Sequence, residues 1–270
     1  MTALLYDKLG PRGKRRVAIG TAVAAVALAV VTALALTKLA QNGQLSAELW
    51  QVLANPDLLG LLAAGLGATA QVAAVSLALS LGFGIVLAVL RLAPQAWVRA
   101  PIRAWVEIFR GLPLLLLIFA IFLGGPALGV DIPTFWALTL GISLYNSAVI
   151  AEITRAGILS LPRGQTEAAY AIGLRRAAAM RLIILPQAIK IMLPALISQL
   201  VVLIKETSLG FIIGYTELLR NGRIAVEYLG GKYAIPVYTG IALFYLAINL
   251  SLSTIARRLN HHRTKSEHSP

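Results

Sequence analysis

The chain has 270 residues, 58% of them hydrophobic and 13% charged, with 24 Lys and Arg against 11 Asp and Glu and a net charge of +13. A soluble domain carries roughly 25% charged residues, so this composition, with a mean hydropathy of +0.79, conflicts with a soluble protein and describes one polytopic membrane unit. The lack of cysteine excludes disulfides, thiolate catalysis and Cys-ligated zinc, and the positive charge forms no basic stripe of the kind a nucleic-acid binder presents.

Six uncharged runs follow one another, most reaching the roughly 20 apolar residues that a crossing helix needs. The first, Val17 to Thr37, is preceded by Arg12, Lys14, Arg15 and Arg16. A signal peptide opens in the same way, but this apolar run exceeds the roughly 7–15 residues of a signal core. Lys38-Leu39-Ala40-Gln41 is also a poor cleavage context, so an uncleaved signal-anchor helix is expected. Asn42 to Asp57 reads as an external linker with a short interfacial helix around Glu48 to Val52. Leu58 to Leu90 is longer than one crossing requires, which predicts strong tilt or a part lying along the interface. Within it Gly65, Gly67, Ala68, Gly82 and Gly84 predict close helix packing. The third run, Gly111 to Val130, ends near Gly124-Gly125-Pro126, and the fourth is Ile132 to Ala151. The fifth, Ile191 to Thr216, is interrupted only by Lys205-Glu206. The sixth is Tyr233 to Ala256, followed by a frayed tail from Arg257. Trp50, Trp97, Trp105 and Trp136 fall near the ends of these runs, as aromatic-belt anchors do. The expected division is residues 1–57 (extra helix and linker), 58–256 (helical core) and 257–270 (tail).

Threading the six runs with both termini on one side puts nineteen of the 24 Lys and Arg residues on that side and four on the other, with Lys205 inside a span. The positive-inside rule then places both termini and the two interior loops in the cytoplasm.

Catalytic material at depth is missing. His261, His262 and His268 all lie in the tail, and Gly230-Gly231-Lys232 lacks the spacing and the strand–helix setting of a phosphate-binding loop. Any ATP-linked work therefore requires another subunit.

The longest interior connection runs from Glu152 to about Leu185. Pro162 and Gly164 break the preceding helix, and Thr166 is placed to cap a new one, with Glu167 in its first turn. Ala169 and Gly173, four apart, predict a small-residue patch, and Gly173 can end the helix. A second short helix, Arg175 to Leu185, would stop at Pro186. From the residues alone, a docking knob and an interfacial loop whose arginines meet anionic lipid are both open.

A family resemblance separates them. Glu167-Ala168-Ala169, then Gly173, then Ile184-Leu185-Pro186 resembles the EAA loop of ATP-binding-cassette (ABC) importer permeases. The segments Glu107 to Leu117, Glu152 to Ile158, Pro162 to Ala169, Leu185 to Ala188 and Lys205 to Leu209 resemble the polar amino-acid branch (histidine, glutamine, glutamate, arginine) in order and spacing. The resemblance implies an all-α, MetI-like type I permease core with one extra N-terminal helix, in a prokaryotic plasma membrane. It further implies a second permease subunit, a cytoplasmic ATPase dimer that binds ATP and magnesium, and an extracytoplasmic substrate-binding protein; this chain would hold no cofactor and bind no nucleic acid. Carried across, Glu167, Ala168, Ala169 and Gly173, with Arg163 and Pro186 beside them, are the ATPase-coupling contacts. The chain departs from the family by its extra first helix and by Leu112 and Leu117, where relatives often carry polar residues. Those leucines favour a heterodimer with a more polar paralogue, while a homodimer stays open.

Ionisable groups inside a span face a cavity or one another, so Lys205, Glu206, Thr207 and Ser208 are candidate pathway residues. Gln199 can share a face with Glu206 at i, i+7, and Tyr145 adds a further polar group from the fourth span. The competing readings are that these groups satisfy backbone at a helix break or bind the partner permease. Asn146 reads as helix–helix glue, and Glu152 as a partner for Arg155 one turn on. Two rival functions remain: an ion-coupled secondary transporter relaying through Lys205 and Glu206, and a membrane anchor for an ATPase that moves no solute.

Overall fold

The computed structural model describes residues 10–266, with side chains described through Thr254. No strand occurs among the described residues; every regular element is helical. They fall into two compact units divided between Val52 and Leu53. The first unit holds α1 (Pro11–Gln41), whose apolar side chains are exposed, as suits a solvent of lipid tails. A turn at Gly43 leads to the short helix Ala47–Trp50, where the Trp50 indole donates to the Gln44 carbonyl at 2.9 Å.

The second unit begins its main helices with α2 (Pro56–Arg91), started by Asn55, whose side chain accepts from the Asp57 and Leu58 amides. Its 36 residues form one unbroken helix, roughly 54 Å long at 1.5 Å per residue. The expected interfacial part is therefore no separate element.

The third run differs from the single span expected of it. Its helical part is only the short apolar α4 (Leu114–Ala127), which an amphipathic helix ahead of the run, α3 (Ala96–Gly111), meets at a bend of 99°. Pro113 is the cause: it bars the preceding residue from the helical region, and Leu112 sits at ψ 137. α4 has 14 residues, roughly 21 Å, short of the ~30 Å hydrocarbon core.

The remaining elements are α5 (Thr134–Leu159), α6 (Arg163–Ala171), α7 (Leu185–Glu206), α8 (Leu218–Leu229) and α9 (Ala234–Ser266). α9 runs past the expected end at Ala256 because neither proline nor glycine interrupts Arg257 to Ser266; the side chains of His261 and His262, and all of His268, lie outside the described residues. Among the described residues five helices are long and apolar enough to cross a membrane, or six if the bent pair α3–α4 counts as one.

α5 is the axis of the second unit. Its Ala137, Leu138 and Ile142 meet Val72 and Ala73 of α2, Leu114 and Ile118 of α4, and Leu203 of α7 in the main core. Two of the expected close-packing glycines do that work. A Cβ on Gly84 would lie 2.6 Å from the Ile150 side chain, and one on Gly65 would lie 2.9 Å from the Leu218 Cα. Gly67 and Gly82 face open space.

Candidate functional site

The loop between α5 and α7 is built from its breakers. Pro162 stands at the start of α6, so the helix begins at Arg163 and Thr166 is not its cap. Glu167 consequently lies in the second turn, later than expected, and is exposed together with Arg163 and Ala168. Gly173 ends the helix at φ +81. Its amide bonds to the Tyr170 carbonyl at 2.9 Å and the Leu174 amide to Ala169 at 3.1 Å, the paired bonds of a Schellman end. Ala169 is buried, 3% exposed, and Gly173 lies beyond the helix. The two therefore do not form the exposed small-residue patch that their spacing suggests. What α6 shows outward is Glu167, Ala168, Tyr170 and, just past its end, Ile172 at 75% exposure.

Pro186 does not stop the second helix. Arg176–Ala179 passes through a π-turn, Met180–Ile184, directly into α7, with Pro186 in the first turn of the α-helical part. The wider π-turn accommodates the missing N–H of the proline: the Leu185 amide just ahead of it still bonds the Met180 carbonyl. The loop is fixed at its base by Ile158, Ile184 and Ala188. Arg176 donates to the Leu92 carbonyl and Gln187 to the Gln165 side chain, both at 3.1 Å.

The polar residues of the fifth span separate into distinct roles. Asn146 of α5 is buried and donates to the Glu206 carboxylate at 2.7 Å, while Gln199 donates to the Asn146 side-chain oxygen at 2.6 Å. Gln199 and Glu206 thus share one face of α7, joined through a single asparagine of the central helix. Lys205 is exposed and points away from this line. Thr207 and Ser208 donate at 2.7 Å to the carbonyls of Ile204 and Lys205, where α7 gives way to the 3-10 turn Thr207–Ile213. Their hydroxyls satisfy backbone freed at the break. Tyr145 packs beside the main core. Leu117 is buried, while Leu112 is 39% exposed.

Glu152 pairs with Arg155 as expected, at 2.5 Å, but also with Arg91 of α2 and, at 3.6 Å, with Arg110 of α3. One carboxylate thereby ties the ends of three helices. Sequence spacing suggested only the local partner, because the other two arginines are brought in by tertiary packing. Glu217 was also missed: fully buried, it caps α8 by accepting from the amides of Leu219 and Arg220 at 2.8 Å and from the Tyr245 hydroxyl at 3.2 Å. An acidic residue just ahead of an amphipathic run is the signal that would have found it.

Residues 80–265 match the family described as binding-protein-dependent transport system inner membrane component. The chain is similar to the probable glutamine ABC transporter permease protein GlnP of Bacillus subtilis, 38% identical over 197 residues, 73% of this chain and 90% of that one. It is also similar to the glutamate transport system permease protein GluD of Corynebacterium glutamicum, 37% identical over 225 residues, 82% of each. Among solved structures, an amino acid ABC transporter crystallised with histidines superposes with a TM-score of 0.72 at 30% identity, covering 78% of this chain and 97% of that one.

Proposed function

The chain belongs to the family of binding-protein-dependent transport system inner membrane components and is a membrane-spanning permease subunit of an ABC importer; from that premise we propose that its cargo is a polar amino acid of the glutamate, glutamine, arginine and histidine class. The observation that carries this reading is a single helical rod with a docking end and a polar end. From Arg176 to Ile213 the chain passes without a loop from the exposed α6 region to Gln199 and Glu206.

In this mechanism a cytoplasmic ATPase receives α6 through Glu167, Ala168 and Tyr170, with Arg163, Gly173 and Pro186 setting the helix's start, end and exit. Nucleotide-driven closure of two ATPases displaces α6, and the π-turn hands that displacement to α7. Movement of α7 against α5 changes the access of Gln199, Asn146 and Glu206 from one side of the membrane to the other. Glu206 suits the ammonium group that every amino acid carries, and the Gln199 amide suits its carboxylate; Lys205, exposed on another side of α7, stands outside this line. Thr207 and Ser208 satisfy the carbonyls of Ile204 and Lys205 at the helix break, and Tyr145 packs beside the main core. ATP and magnesium reside on the ATPase, and this chain performs no hydrolysis itself.

The wider assembly is a pair of permeases, an ATPase dimer and an extracytoplasmic binding protein. Both termini and the α6 loop face the cytoplasm, supported by nineteen of the 24 Lys and Arg residues falling on that side. Residues 58–256 form the permease core, and residues 1–57 add the extra helix and external linker. The exposed apolar Leu112 supports pairing with a more polar paralogue. The test is to reconstitute the chain with its co-purifying partners and supply labelled glutamate, glutamine, arginine and histidine. ATP-dependent accumulation of at least one is expected; accumulation of none overturns the cargo class.

A further inference from the structure

A polar cavity of about 500 Å³ opens at the end of the bundle that carries the α6 loop, lined by Arg91, Leu92, Arg99, Arg103 and Arg155. Around it five arginines, with Arg110 counted, meet two carboxylates. Glu152 is shared by Arg91, Arg110 and Arg155, and Glu107 takes Arg103 at 2.7 Å and lies 4.0 Å from Arg91. The hydrogen bond from Arg103 holds the Glu107 carboxyl below the usual carboxylate range, and both acids are already engaged by arginines. Three positive charges stay uncompensated. Arg99 is the clearest: it is exposed, and its side chain donates only to the Ala93 carbonyl, at 3.2 Å. The cavity therefore presents guanidinium donors to an anion.

Its depth is set by α3. Val106 of that helix is fully buried against Ala88, Ala148 and Ala151. On another side Trp97, Trp105 and Ile108 are exposed, at 78%, 43% and 56%. Tryptophans exposed on an amphipathic helix belong at the boundary between headgroups and acyl chains. Arg99 and Arg103, one turn apart, form the polar stripe that looks into the cavity.

We infer that this cavity is a binding site for the phosphate of an anionic phospholipid, gripped by Arg99 and Arg103 with Arg91 and Arg155 behind them. The setting favours a lipid over a free anion, since the exposed Trp97, Trp105 and Ile108 hold α3 at headgroup depth, where lipid phosphates lie within reach of its long arginine side chains. The inference goes beyond the transport reading and uses from it only the membrane setting.

Native mass spectrometry tests it on the full transporter, purified into nanodiscs of equal parts phosphatidylglycerol and phosphatidylcholine. The wild type is expected to retain phosphatidylglycerol in preference to phosphatidylcholine. Arg99→Gln, which breaks no ion pair, should lower that preference about five-fold, the effect of one surface arginine near anionic lipid, and Arg99→Lys should restore most of it. Arg220→Gln, on the other side of the chain, should leave it unchanged. Equal retention by wild type and Arg99→Gln overturns the site. Displacement of the lipid by millimolar inorganic phosphate also overturns it, by making the ligand a free anion. None of these readouts depends on uptake, so failure here is separable from failure of the cargo assignment.

Discussion

Single residues divide into those that signal and those that hold. Glu167 is exposed with no ion pair among the described residues, so its carboxylate is free for a partner. Glu167→Lys is expected to leave insertion and folding intact while abolishing ATP-driven uptake, checked by comparing membrane yield with transport in the same preparation. Gly173 holds: at φ +81 any side chain strains the backbone by about 1–2 kcal/mol. Gly173→Asp should therefore loosen the end of α6 and also abolish ATP-driven uptake in that assay, with the protein still inserted. Asn146 is different again, because its one amide serves Gln199 and Glu206 together. Asn146→Ala leaves two polar groups without their partner and should lower thermal stability in detergent by about 1–2 kcal/mol, whereas Ser198→Ala, at an exposed hydroxyl, should not.

At the scale of elements, close approach and ionic ties position the helices. Gly84 lets α2 lie against Ile150 of α5, so Gly84→Ala should destabilise the protein by about 1–3 kcal/mol through overpacking. Gly67→Ala, with open space around it, is the neutral comparison. Glu152→Gln removes the acid shared by Arg91, Arg110 and Arg155. With the Arg91 side chain only 12% exposed and left with Glu107 at 4.0 Å as its remaining acid, the loss should lower the unfolding midpoint measurably. The helices themselves were legible in the sequence, because an apolar run of membrane-spanning length has few other solutions. Their breaks were less so. Pro113 ended α3 and cut the expected third span back to α4 by its effect on Leu112, while Pro186 was absorbed by a π-turn. The difference lies in the backbone register around each proline, which residue identity alone does not set. The i, i+7 relation of Gln199 and Glu206 could be read from helix geometry, but the asparagine that joins them comes from 53 residues earlier for Gln199 and 60 for Glu206, a distance that only packing closes.

For the molecule as a whole, the charge excess has a structural location. Ten of the 24 Lys and Arg residues lie at the end of α2, along α3, at the end of α5, around α6 and at the start of α7, and the main core of the second unit is apolar. The central claim is that α6 couples ATP hydrolysis on a partner to movement of α7 and the polar line it carries. The most direct test is uptake of labelled substrate into proteoliposomes holding this chain with its partner permease, ATPase and binding protein, with ATP supplied to the ATPase side. The wild-type complex should accumulate label only with ATP, and the Glu167→Lys complex should assemble but accumulate none. Accumulation driven by an ion gradient without ATP, or full ATP-driven uptake by Glu167→Lys, would contradict it.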